Sequence, residues 1–200
     1  MTRADQVFIN CPFDEAYKRS FQSILFTVSD CGFIPRTAKE NDDCGTERLE
    51  FITELVKQCK YGIHDISRTE LDPENNLPRF NMPFELGLFM GMGASKRTIK
   101  EALIMDVERF RFQKFISDIS GRDPKAHNGK TERIVKIVRD WLGKRTDDTL
   151  PGSQKVTQRF EQFLAWLPLI CEEDGHDPED VPYDDFLQYM SAFQQEASSQ

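Results

Sequence analysis

Apolar positions divide the chain into alternating strand-like and helix-like stretches. Val7-Phe8-Ile9-Asn10-Cys11, a short run stopped by Pro12, predicts a buried strand. From Tyr17 to Cys31 the spacing changes: Phe21, Ile24, Leu25 and Val28 recur at helical intervals, and Gly32 supplies a stop. Phe33 to Thr37 predicts a second strand, which Pro35 pushes toward a sheet edge. Leu49, Ile52, Leu55 and Val56 give Glu47 to Cys59 one apolar helical face. Tyr61 to Ile66 reads as a third strand. After a long polar loop, Pro83 to Gly93 is apolar nearly all round and predicts a buried helix, followed by a fourth strand from Ile99 to Met105. Arg109 to Gly129 leaves room for a short helix and a fifth, edge strand. Ile134, Val135, Val138, Trp141 and Leu142 then mark another helix.

Strands alternating with helices imply right-handed crossovers on a parallel sheet. The expected fold is therefore α/β, a flavodoxin-like three-layer arrangement with four or five parallel strands over residues 1–145. Residues 146–200 differ. Thr146 to Gly152 is a polar linker. Val156, Phe160, Phe163, Leu164, Leu167 and Cys171 form one helical stripe, and Tyr183, Phe186, Leu187, Met190 and Phe193 form another. This helical extension is expected to pack on the body, as structural cover, or on a partner such as a second copy of the chain. Glu196 to Gln200 is expected to fray.

Charge sharpens that division. The 200-residue chain carries a net −8. From Thr146 onward only Lys155 and Arg159 stand against twelve Asp and Glu, so the body before it is near neutral. Without a basic stripe the chain is a poor ligand for duplex nucleic acid, whose affinity rests on phosphate contacts. The body can still hold a small phosphorylated ligand. No apolar run approaches the ~20 residues of a membrane helix, and no secretory leader pattern opens the sequence. Cys11, Cys31, Cys44, Cys59 and Cys171 are scattered without a CxxC pair, which argues against disulfide frameworks and zinc sites and makes a reducing cytoplasm the default compartment. GxGxxG, GxxxxGK[ST] and GxSxG are absent. Neither a metal nor a bound cofactor is expected.

In an open parallel sheet, ligands sit beyond the carboxyl ends of the strands where strand order reverses. Here that point lies between the first and third strands. Pro12, Phe13 and Asp14 follow the first; Asp65, Ser67 and Arg68 close the third. The loop from Ser67 to Met82 is long for such a connection. It leads into Asn81-Met82-Pro83-Phe84-Glu85-Leu86-Gly87. With Asn81 as N-cap and Pro83 in the first turn, Glu85 opens the helix, where the helix dipole favours an ionised carboxylate. Such a group can stabilise or attack an oxocarbenium-like centre. It can equally serve its own helix start or pair with Arg79 or Arg36. Asp65 suits either a turn cap or a ribose hydroxyl, and Asp14 suits the N-cap of the first helix. His64 points to the opposite strand face from Asp65 and reads as structural. Turn chemistry accounts for Asp118, Asp123 and His127, with His127 at the pocket edge as the alternative.

These motifs resemble a known superfamily. Val7-Phe8-Ile9-Asn10-Cys11-Pro12-Phe13, the third strand ending at Asp65, and Asn81-x-x-x-Glu85-Leu86-Gly87 look like the nucleoside 2-deoxyribosyltransferases. The same arrangement resembles the bacterial TIR-like domains. The likeness covers roughly residues 6–106. It implies a flavodoxin-like fold and cleavage or transfer at an N-glycosidic bond, with NAD or a related nucleotide as substrate rather than cofactor. Position by position, it implies Glu85 as the catalytic glutamate, Asp65 as the acid after the third strand, and Asn10, Pro12 and Phe13 as the pocket-lining loop. Asp65 and Asn10 would hold ribose hydroxyls, and Arg36, Arg68 or Arg79 would meet phosphate. Arg79 to Phe84 stands where the deoxyribosyltransferases carry an Asp, which points away from free deoxynucleosides. The TIR-like relatives imply a role in antiviral defence, with activity awaiting an activator or oligomerisation. The same crevice also suits a non-catalytic nucleotide-sensing or protein-interaction module.

Overall fold

The computed structural model describes residues 5–40, 47–71, 76–94 and 99–198. Cys44, part of the loop after the third strand, and the last two residues lie outside them. Five strands form one parallel sheet: β1 (Gln6–Asn10), β2 (Ile34–Thr37), β3 (Tyr61–Asp65), β4 (Glu101–Asp106) and β5 (Lys125–Ala126). Their order, β2-β1-β3-β4-β5, is the flavodoxin-like order. β1 pairs with β3 from Val7↔Tyr61 to Asn10↔His64, which brings Asn10 beside His64 at the carboxyl end. β2 is the edge strand that Pro35 predicted. β5 is short, pairing with β4 only at Met105↔Lys125 and Asp106↔Ala126.

Alternation along β1 sets the layers. Val7 and Ile9 face α1 (Lys18–Asp30) and α4 (Thr131–Leu142), whereas Phe8 faces α2 (Arg48–Gln58) and α3 (Asn81–Gly93). The extension forms α5 (Ser153–Asp174) and α6 (Tyr183–Ser198). Val156, Phe160, Phe163, Leu167, Phe186 and Met190 join the same core as Val7, Ile24 and Ile134. Of the two expected placements, this is packing on the body. Arg159 on α5 also pairs with the buried Asp30 of α1 at 2.9 Å. Helix continues to Ser198, inside the stretch expected to fray, and the last two residues of that stretch lie outside the described residues.

Two expectations about α3 change. The helix begins at Asn81, with Phe80 in the cap position and no side-chain cap bond, so Asn81 is an exposed first-turn residue rather than the N-cap. Nor is it buried all round. Met82, Glu85, Leu86 and Phe89 face inward, while Phe80 and Phe84 are exposed. The uniform hydropathy hid this one-sided packing, because Gly87 and Gly91 occupy outward positions.

Candidate active site

Glu85 is the fifth residue of α3, one turn beyond the cap. It is only 9% exposed. Neither Arg79 nor Arg36 reaches it: Arg79 contacts Asp14 at 3.3 Å, and Arg36 contacts Glu40 at 2.8 Å. Among the described residues its carboxyl has no hydrogen bond or ion pair. The expected support from the helix dipole is opposed by desolvation, which leaves the carboxyl only partly ionised near neutral pH. The dipole fades beyond the first turn, and burial pushes the Glu85 carboxyl up to about 7, against a weak downward pull from Arg48. Glu85, Asp65 and Asp14 all raise the thiol of buried Cys11, though burial itself raises it most. These acids thus gather around the carboxyl end of β1. The thiol stays protonated and is no nucleophile.

Asp65, at the end of β3, is fully buried and fully partnered. Its Oδ2 accepts from the Tyr17 hydroxyl at 2.5 Å and from His127 Nε2 at 3.0 Å. Its Oδ1 accepts from the Ser67 backbone N–H at 2.9 Å and from the Ser67 hydroxyl. Burial alone would raise this carboxyl. The bonds from His127, Ser67 and Tyr17 outweigh it and hold the group below the usual carboxylate range. Asp65 caps its own turn through Ser67, one of its two expected roles, and is an ionised anchor.

Ser67, His127 and Asp65 have the composition of a nucleophilic triad but not its wiring. The Gly129 backbone N–H donates to His127 Nδ1 at 3.0 Å, so the hydrogen resides on Nε2. That same nitrogen faces both Asp65 and the Ser67 hydroxyl, the latter at 2.9 Å. No ring nitrogen is left to accept the Ser67 proton, so Ser67 is not an activated nucleophile.

On the neighbouring strand, Asn10 donates from Nδ2 to the Met82 carbonyl at 2.8 Å, tying β1 to the first turn of α3. It also contacts His64 Nδ1 at 3.1 Å, which fixes the His64 hydrogen on Nε2. Burial lowers His64 to about 3, so its ring is neutral. The ring lies edge-on to Phe89, with centroids 4.9 Å apart. A Cβ on Gly62 would sit 2.6 Å from His64 Nε2 and 2.8 Å from Phe89, so this packing requires glycine. His64 lies on the strand face opposite Asp65, as expected, packed among aromatic rings, but among the described residues its Nε2 has no hydrogen-bond partner.

The mouth is bridged by charge. Asp14 was expected to cap the first helix but makes no cap bond. Its carboxylate instead receives Arg68 at 3.0 Å and Arg79 at 3.3 Å. Both arginines, as expected, stand at the rim between the β1 and β3 loops. Arg36 does not join them. It turns toward the amino ends of the strands, held by Glu40, Gln6 and Gln58. Pro12 is buried, and Phe13 packs edge-on against Phe21 at 5.1 Å, under Lys39.

Three participants escaped the sequence reading or were set aside in it. Tyr17 looked like a helix-start apolar residue, and His127 like part of a turn. Arg111 was hidden in an illegible segment. Its Nη2 donates to the Ser67 carbonyl at 2.8 Å and the Ile66 carbonyl at 3.1 Å, and its Nε to Asp106 at 2.9 Å, so it pins the loop after β3. A polar residue after a buried strand, needing partners from elsewhere, was the available signal. Among the described residues no three His, Cys, Asp or Glu converge to hold a metal ion, and no helix is long and apolar enough to cross a membrane.

Compared with known protein families and curated proteins, the chain matches no family model and no curated sequence.

Proposed function

We propose that the protein cleaves the N-glycosidic bond of NAD or a related nucleotide, with Glu85 acting at the anomeric carbon. One observation carries this reading: a desolvated carboxyl without a partner among the described residues, beside the point where strand order reverses. Hydrolysis of such a bond sends the C1′–N electron pair to the base and leaves an oxocarbenium-like C1′. Water then forms the new C1′–O bond and loses a proton. Glu85 in its ionised form stabilises or traps the cation, and with a pKa of about 7 it also takes up the proton from water.

The surrounding groups favour a base that leaves without being protonated. Asp65 is held as a carboxylate, and burial lowers His64 to about 3, so at neutral pH it carries no proton to donate as an acid. A pyridinium base, as in NAD, departs neutral and needs no acid. Arg68 and Arg79 exchange Asp14 for the substrate's phosphates. Asp65 and Asn10 act by holding the β3 loop and the start of α3, rather than by binding ribose directly.

The test is nicotinamide release from NAD by the wild type and by Glu85→Gln. The expected result is a loss of at least about a hundredfold in kcat with Gln. Equal turnover by both proteins removes Glu85 from the mechanism. A second reading, a non-catalytic nucleotide-binding or protein-interaction module, draws on the internal bonding of Asn10 and Asp65. Thermal protection by NAD without any product would favour it.

A further inference from the structure

Away from Glu85, a groove of about 870 Å³ runs between α4 and the segment from β4 through β5. We propose that this groove is a separate binding site for a nucleoside di- or triphosphate. Its volume falls in the usual range of small-ligand sites, ~300–1,000 Å³, and far exceeds what a lone phosphate fills.

Charge identifies the anionic part. Two of the lining cations are neutralised locally, Lys125 by Asp123 and Lys136 by Asp140. Arg109, Arg122, Arg133 and Lys144 also line the groove, and none has an ion pair among the described residues, although Arg109 acts electrostatically on Asp123 and the acid Glu132 shares the lining. On a chain of net −8, six cations against three carboxylates in one concavity are a local cationic excess that marks a polyanion site. Arginine forks suit phosphate oxygens in particular.

Aromatic groups identify the ring. Phe110 is 64% exposed and held at φ +61°, a conformation bulky side chains rarely adopt, which turns it out at the rim of the groove. Trp141 lines the α4 wall, with the Arg145 guanidinium 3.7 Å from its ring centre. A planar base stacking near Phe110, with phosphates among the arginines, satisfies both features. The site shares no lining residue with the Glu85 cluster and does not rest on the proposed glycosidase activity.

Calorimetric titration of the full chain with ADP, adenosine and inorganic pyrophosphate tests this, using wild type, Arg122→Ala/Arg133→Ala, Phe110→Ala and Glu85→Gln. All the altered groove residues are exposed, and circular dichroism confirms that each variant folds. The expected result is an ADP-binding event that survives Glu85→Gln and weakens at least about tenfold in the double variant. Phe110→Ala should weaken ADP more than pyrophosphate. The proposal is overturned if the wild type binds no ADP at millimolar concentration. It is also overturned if binding follows Glu85 and ignores the arginines, if pyrophosphate binds as tightly as ADP, or if an acidic peptide displaces ADP from the groove.

Discussion

Replacing Glu85 by Gln should stabilise the protein in alkali while it removes the carboxyl required for the proposed chemistry. In the folded chain the carboxyl titrates at about 7, against an ordinary 4.5. At about 1.4 kcal/mol per unit, ionising it in the folded state costs about 3 kcal/mol more than in the unfolded state. The sign is opposite to that of most carboxylates. Because the folded pKa is raised, the folded form retains the proton longer. Stability is undiminished below 4.5, falls as pH rises toward 7, and stays reduced above it. Gln is similar in shape and never ionises, so any fixed cost of burying its amide is the same at every pH. Urea unfolding of both proteins at about pH 5 and about pH 9 isolates the ionisation, and the difference between them should shift by about 2.5 kcal/mol in favour of Gln. A shift below about 0.5 kcal/mol would mean that Glu85 is solvated and would refute the desolvation argument at its root. Gain of stability with loss of turnover is the expected pattern for a strained functional group.

Two further outcomes follow from the polar network and the sheet packing. Tyr17→Phe removes a buried hydrogen bond to an ionised carboxylate and should cost about 1.5–3 kcal/mol at neutral pH. Since the folded pKa of Asp65 is lowered, that contribution exists above its ordinary 3.8 and disappears as pH falls through the folded value, so wild-type and variant stabilities should converge in acid; a constant gap would show that Tyr17 acts through packing alone. Gly62→Ala forces a Cβ against His64 and Phe89, so it should lower stability by about 1–3 kcal/mol in urea unfolding. An unchanged midpoint would mean that the His64 ring is not held where the structure puts it.

Local pattern was enough to determine the layering of this protein. Phe8 between Val7 and Ile9, the helical spacing of Ile24, Leu25 and Val28, and the stops at Pro12 and Gly32 each act within a few residues, and burial on one face or two is what such periodicity encodes. The ends of β1 and β3 followed from strand order, which is why Asp65 and Glu85 stood out as candidates. What the local pattern could not decide was the state of those two acids. The same side-chain class became a bonded anion at position 65 and a desolvated, half-neutral carboxyl at position 85. That difference arises from Tyr17 and His127 arriving at one site while, among the described residues, no donor arrives at the other. Only the folded chain brings such distant groups together and excludes water, so protonation and pairing belong to tertiary structure.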